Sequence, residues 1–279
     1  MNGPDRELPI GVFDSGVGGL TVAKEIMKQL PNENIIYFGD TARVPYGSKS
    51  RETVTEYSRQ IVTFLLSKKV KAIVIACNTA SAFALETLSK EFPEVPMIGV
   101  VLPGAKAAAA ASRNGRIGVI GTAGTVRSGL YERYLTGIRP DCRVFGQACP
   151  LFVPLVEEGW AKDPVTETVV HRYLDGLLKQ QVDSIVLGCT HYPLLKDVIQ
   201  KVAGPEVTLV NPAYETAKEL SSMLREAELL CGERPKRGQY TCSNHTFFVS
   251  DGAEQFRAFA NSILPCEMIE TKDVNLKVF

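Results

Sequence analysis

Short β-branched apolar runs alternate with amphipathic stretches along almost the whole chain. Ile10-Gly11-Val12-Phe13 reads as a buried strand, and a helical stretch from Leu20 to Leu30 follows it, stopped by Pro31. Ile35-Ile36-Tyr37-Phe38 is the second strand. Thr53 to Lys69 carries Val54, Tyr57, Ile61, Phe64 and Leu65 at helical spacing, and Ile73-Val74-Ile75-Ala76 is the next strand. A helix from about Ser81 to Phe92 follows, then the alanine-rich helix Ala105 to Ala111 and a strand at Ile117 to Ile120. Asp163 to Gln181 reads as a helix bearing His171, a surface or packing residue. The strand Ile185-Val186-Leu187, a helix from Leu194 to Val202 and the strand Val207 to Val210 come next. A long helix from about Ala213 to Leu230, capped by Asn211-Pro212, leads to a tail with Gln239 to Ser243, Thr246 to Val249 and a last helix from Gly252 to Ser262. Strands and helices alternating at these lengths call for an α/β fold, with mainly parallel sheets flanked by helices on both faces.

The pattern repeats. Ile117-Gly118-Val119-Ile120-Gly121-Thr122 echoes Ile10-Gly11-Val12-Phe13-Asp14-Ser15, and Ile185-Val186-Leu187-Gly188-Cys189 echoes Ile73-Val74-Ile75-Ala76-Cys77. The two pairs keep their order and stand at nearly one offset, which points to a duplication into two pseudo-symmetric domains. No linker rich in Gly, Ser or Pro separates them, so they should pack closely. In an open α/β sheet, ligands bind beyond the carboxyl ends of the strands. Cys77 and Cys189 are therefore expected on opposite walls of one interdomain cleft.

Composition narrows the class. A length of 279 residues fits about two domains, and 45% hydrophobic with 22% charged residues is ordinary for a globular chain. Lys+Arg and Asp+Glu both number 31, so no net field recruits nucleic acid or an anionic membrane. No apolar run approaches the roughly 18 residues of a spanning helix. Met1 to Glu7 carries acids and no apolar signal core, so a cytoplasmic protein is expected. Seven cysteines (Cys77, Cys142, Cys149, Cys189, Cys231, Cys242 and Cys266) form no C-x-x-C pair and should be free thiols, most of them small buried fillers.

The glycine loop after the first strand, Gly16-x-Gly18-Gly19, is not a dinucleotide fingerprint, and no Gly-Lys-Ser/Thr follows for a phosphate loop. It leaves Asp14 at a strand end beside glycines that let backbone N–H groups approach a small ligand; the plainer alternative makes Asp14 and Ser15 helix caps. In the loop Ala42 to Ser48, Tyr46 offers a hydroxyl and Arg43 a cation. A free thiol titrates near 8.5 and is a poor base at neutral pH without help. Asp14 is the candidate partner of Cys77 and His191 of Cys189, with Glu157 or Glu158 to orient the histidine. Two thiols facing a bound carbon acid can invert it, one removing a proton while the other donates one. With each sulfur about 3–3.5 Å from the reacting carbon, they stand roughly 7 Å apart, too far for a disulfide of about 2.05 Å. Zinc on Cys189, His191 and Cys77 is the metal alternative, but ordinary zinc spacings are absent. The readings therefore run from a two-thiol isomerase of a small polar carbon acid to a noncatalytic small-molecule or metal-binding α/β protein.

Six segments carry a resemblance: Phe13 to Gly19, Val44-Pro45-Tyr46-Gly47, Cys77-Asn78-Thr79-Ala80, Gly121-Thr122 with Thr125-Val126, Val153 to Gly159, and Gly188 to Pro193. They resemble the glutamate racemase family within the cofactor-independent aspartate/glutamate racemase superfamily. The resemblance implies interconversion of L- and D-glutamate without a cofactor or metal, supplying D-glutamate for peptidoglycan, with aspartate or another small acid as the competing substrate. It implies Cys77 as the base acting on D-glutamate and Cys189 on L-glutamate, assisted by Asp14 and His191. Ser15, Pro45, Tyr46, Gly47, Asn78, Thr79, Thr122, Thr125 and Thr190 would hold the substrate with those two helpers. One family acid falls in Glu157-Glu158, with Glu157 preferred. The family's late return of the chain to its first domain implies domains of 1–99 plus 211–279 and of 100–210, and a homodimer is expected. Some members carry an N-terminal extension that binds a cell-wall precursor as activator; only nine residues precede the first strand here, so that control is not expected.

Overall fold

The computed structural model describes residues 5–232, 245–265 and 271–276. Cys242, Cys266 and the segment 239–243 lie outside the described residues. In chain order the strands are β1 (Ile10–Asp14), β2 (Ile35–Gly39), β3 (Ala72–Ile75), β4 (Met97–Gly99), β5 (Arg116–Gly121), β6 (Arg143–Ala148), β7 (Ser184–Gly188), β8 (Thr208–Val210), β9 (Thr246–Val249) and β10 (Thr271–Asp273). The helices are α1 (Leu20–Gln29), α2 (Arg51–Ser67), α3 (Asn78–Glu91), α4 (Val101–Ala111), α5 (Ala123–Arg127), α6 (Leu130–Ile138), α7 (Phe152–Glu157), α8 (Pro164–Leu178), α9 (Lys196–Ala203), α10 (Pro212–Glu226) and α11 (Ala253–Ile263).

Two sheets result, of order β10-β9-β2-β1-β3-β4 and β6-β5-β7-β8, and every pairing in them is parallel. The second sheet repeats the β2-β1-β3-β4 part of the first strand for strand, so the duplication read from the sequence is a duplication of topology. What breaks the symmetry is the tail: β9 adds to the β2 edge, with Tyr37 opposite Phe247. Strands β1, β3 and β7 are buried along their whole length, which is why they read as unbroken apolar runs rather than alternating ones. Phe13, Phe38 and Phe64 lie in the main core, each worth about 1.5–3 kcal/mol relative to exposure. No helix among the described residues is long and apolar enough to cross a membrane.

Several boundaries differ from the sequence reading, and one difference matters chemically. The helix after β3 starts at Asn78 rather than near Ser81, with Cys77 as its N-cap residue. Asn78 and Thr79 thus occupy its first turn, at its positive end. After Cys189 the chain instead makes a 3-10 turn, Tyr192–Leu195, before α9. The sequence reading assigns neither α6 nor β6: α6 carries Leu130, Tyr131 and Leu135 buried at helical spacing, a pattern that reading passes over, whereas β6 is a half-exposed edge strand.

Candidate active site

In each sheet the strand order reverses between two neighbouring parallel strands, β1 beside β3 and β5 beside β7, and residues at their carboxyl ends line one space. Asp14 ends β1 and Ser15 follows it; Cys77 lies two residues beyond β3; Thr122 follows β5; Cys189 follows β7. A cavity of about 410 Å³ lies there. Ser15, Pro45, Tyr46, Gly47, Cys77, Asn78, Thr79, Thr122, Glu157, Cys189, Thr190 and His191 line it, with Val44, Ser48, Ala123, Pro150, Val153 and Pro154. Of the residues expected at the site, Asp14 and Thr125 do not line it. Both are buried behind its wall and bond to residues that do.

Cys77 is 6% exposed, and its thiol lies 3.8 Å from the Ser15 hydroxyl. Burial, and then the negative charge of Asp14, push the thiol up to about 12, against contributions from Ser15 and the Ala80 amide that favour the thiolate. At neutral pH this sulfur carries its proton. Alkylation of Cys77 by iodoacetamide should therefore keep accelerating as pH rises past 9, without a plateau near 8.5; peptide mass spectrometry over a pH series would refute this by finding such a plateau. Asp14 is fully buried, and burial raises its carboxyl, offset in part by His191 and by the amides of Gly19, Gly16 and Ser15. The N-cap residue of α1 is Gly19, not Asp14, and the carboxylate accepts from the Gly16 amide at 3.0 Å and also meets the Gly19 amide at the start of the helix.

Cys189 faces a different partner. Its sulfur lies 3.9 Å from His191 Nδ1, and His191 Nε2 lies 2.9 Å from Glu157 Oε1. Glu157, itself 43% exposed, is therefore the acid beside the histidine. Burial pulls the imidazole down, but Cys189, Glu157 and Asp14 outweigh it and lift the group to about 10. The folded state then holds a proton that the unfolded chain releases near 6.5. The resulting stabilisation is complete below about 6.5 and is lost as pH rises toward 10. Removing the carboxylate with Glu157→Gln should bring the imidazole down toward its ordinary range. The alkaline limb of the activity profile should then move to lower pH, and a limb that stays in place would sink the assignment.

Hydroxyls and glycines knit the halves together. The Thr79 hydroxyl lies 2.8 Å from that of Thr122 and 3.2 Å from that of Thr125, and Thr122 and Thr125 are 3.0 Å apart, closing a triangle across the two halves. Thr122 also caps α5 by accepting from the Thr125 amide at 3.1 Å. The Tyr131 hydroxyl donates to Asn78 Oδ1 at 2.7 Å, so the Asn78 amide nitrogen is its remaining polar atom. Gly18 makes room for the other half rather than for a ligand: a Cβ there would stand 2.3 Å from Thr190 Oγ1 and 2.5 Å from His191 Nδ1. Tyr46 lines the cavity with its hydroxyl donated away to the Asp40 carboxylate, and Arg43, paired with the same acid, does not line the cavity. Tyr131, Asp40 and the apolar rim residues were not singled out from sequence; a polar residue at a strand end was the available signal for Asp40 and none marked Tyr131. Among the described residues no group of three or more His, Cys, Asp or Glu is placed to hold a metal ion.

Two topologically matched halves with a buried thiol at the switch point of each define a class of protein. The chain belongs to the Asp/Glu/Hydantoin racemase family, whose model matches residues 10–220. It is 52% identical over 268 residues to a glutamate racemase of Geobacter metallireducens, covering 96% of this chain and 97% of that protein. Among solved structures, it is similar to glutamate racemase from Francisella tularensis in complex with D-glutamate, at 38% identity and a TM-score of 0.89, covering 98% of this chain and 100% of that one. It is also similar to the Thermus thermophilus glutamate racemase in complex with Beta-chloro-D-alanine, at 44% identity and a TM-score of 0.86, covering 99% and 100%. Within the family the chain sits among the glutamate racemases, which are isomerases.

Proposed function

We propose that the protein interconverts L- and D-glutamate by moving the α-proton between two thiols, one from each half. The observation that carries this is the pair of buried cysteines lining one cavity, each beside a different ionisable helper. In one direction the Cys189 sulfur takes the α-proton as the C–H bond breaks, and the electron pair passes into the α-carboxylate as an enolate. The Cys77 thiol then donates its proton to the opposite face. The reverse reaction exchanges the roles, so that Cys77 is the base toward D-glutamate and Cys189 toward L-glutamate. The helpers suit these tasks: buried Asp14 can receive the Cys77 proton, and the His191 imidazolium, held by Glu157, can shelter a thiolate at Cys189.

Among the described residues no Lys or Arg lines the cavity. The carboxylates of glutamate would be met by the hydroxyls of Ser15, Thr79, Thr122 and Thr190, by the Asn78 amide and by the amino end of α3. Thr125 and Asp14 would act from behind through Thr79, Thr122 and Thr190. The chain divides for this purpose into 1–99 plus 211–279 and 100–210, and its D-glutamate would supply peptidoglycan synthesis. The test is racemisation in deuterium oxide, with each enantiomer supplied separately to purified protein. Inversion of either, with solvent deuterium at the α-carbon of the product, is the expected result. Glutamate left untouched, or product formed without deuterium, would overturn the proposal.

A further inference from the structure

One wall of the cavity is an irregular loop whose hold on the fold comes from outside the site. Residues Thr41–Arg43 and Tyr46–Ser48 form two single 3-10 turns with extended backbone between them, and Val44 is 44% exposed. Tyr46 is buried in the main core, but no other residue from Thr41 to Ser48 is, so apolar burial fixes the segment at one point only. Its far edge nevertheless fits closely against the second half. A Cβ on Gly47 would stand 2.6 Å from Thr122 Cβ, and the Gly47 carbonyl lies 3.0 Å from where a Cβ on Gly124 would be. A loop wedged this tightly must be held from behind.

The holding group is Asp40, which is fully buried and does not line the cavity. Its carboxylate accepts from Arg43 Nε at 2.7 Å, from the Tyr46 hydroxyl and from the Ser250 hydroxyl at 2.8 Å. Ser250 in turn accepts from the Ala42 amide at 2.9 Å, and the Asp251 amide donates to Thr41 Oγ1 at 3.0 Å. Arg43 continues the network, donating to Gln60 Oε1 at 2.6 Å with its guanidinium 4.0 Å from the Tyr57 ring centre. Tyr46 and Tyr57 pack with ring centres 5.8 Å apart. One carboxylate thus ties both turns of the loop to α2 and to the segment after β9.

We infer that Asp40 is a positioning residue: through Tyr46, Arg43 and Ser250 it fixes the 42–48 wall of the cavity and so sets substrate affinity without touching substrate. This rests on the cavity being the glutamate site. Both thiols stand on strand ends apart from this loop, so loosening it weakens binding more than proton transfer. The blander role, an ion pair that only stabilises the fold, would leave affinity alone.

The test compares wild type, Asp40→Asn and Ser250→Ala as full chains, measuring kcat and KM for each enantiomer together with amide hydrogen exchange. Asp40→Asn should raise KM about tenfold and Ser250→Ala about threefold, with kcat changed less than about threefold. Exchange at 42–48 should quicken in both variants while β3 and β7 stay as in wild type. If Asp40→Asn fails to fold, Ser250→Ala decides, since it leaves the Asp40–Arg43 pair intact. Unchanged KM with unchanged loop exchange overturns the inference, as does loss of kcat alone. Wild type that ignores glutamate would instead sink the functional reading, and loop exchange alone would then decide the anchoring role.

Discussion

Serine in place of either Cys77 or Cys189 is expected to lower racemisation by about three orders of magnitude in both directions, within the 10²–10⁴ that a positioned acid or base supplies. The loss is symmetric because each thiol is the base for one enantiomer and the acid for the other. A single substitution therefore breaks both reactions, whereas a one-base enzyme would tolerate one of the two. Serine has nearly the same shape, and both cysteines are free and only 6% exposed, so the fold should be little disturbed. What changes is the chemistry, since a hydroxyl ionises far less readily than a thiol. Cys77 is already pushed up to about 12 by burial and Asp14, which leaves no margin for a weaker acid at that position. Steady-state racemisation of each enantiomer, with circular dichroism to establish folding, checks this. Two folded variants that both racemise within tenfold of wild type would end the two-thiol account.

The parts of this site legible in the sequence were those fixed by strand ends. Asp14, Cys77, Thr122 and Cys189 each close an apolar β-branched run, and a parallel sheet places such residues at its functional edge whatever surrounds them. Glu157 was legible only as one of two neighbouring acids. The choice between it and Glu158 depends on the phase of α7, a helix of six residues that no periodicity could define. Tyr46 was legible only in part. Its place at the cavity is local, but its hydroxyl partner, Asp40, is set by how the loop folds back on β2. The glycines after β1 were misread in the same way, because the group that Gly18 accommodates comes from the other half of the chain. Tertiary neighbours, not local pattern, decided these cases.

That contact yields the other large effect, for Gly18→Ala. Gly18 is not among the glycines with positive φ, so alanine meets no backbone strain there. The obstacle is space alone. The new methyl would stand 2.3 Å from Thr190 Oγ1, 2.5 Å from His191 Nδ1 and 2.6 Å from its Cε1. Neither side chain is loose enough to retreat. His191 is held by Glu157 at 2.9 Å, and Thr190 is held through its hydroxyl to Asp14 at 3.4 Å and through its carbonyl by the Thr21 hydroxyl at 3.0 Å. Overpacking of this kind costs about 1–3 kcal/mol of stability. The methyl must also push the imidazole relative to Cys189, and a displacement of about 1 Å at such a site can lower the rate about 10²-fold. Gly176→Ala serves as the control, because nothing stands within 4 Å of its added Cβ and it lies inside α8. That change should stabilise by about 0.5–1 kcal/mol and leave kcat/KM alone. Thermal unfolding and kcat/KM on both variants separate the possibilities. If Gly18→Ala kept full activity, the wedge of the first half against His191 would have no part in holding the imidazole, and the histidine would owe its position to Glu157 alone.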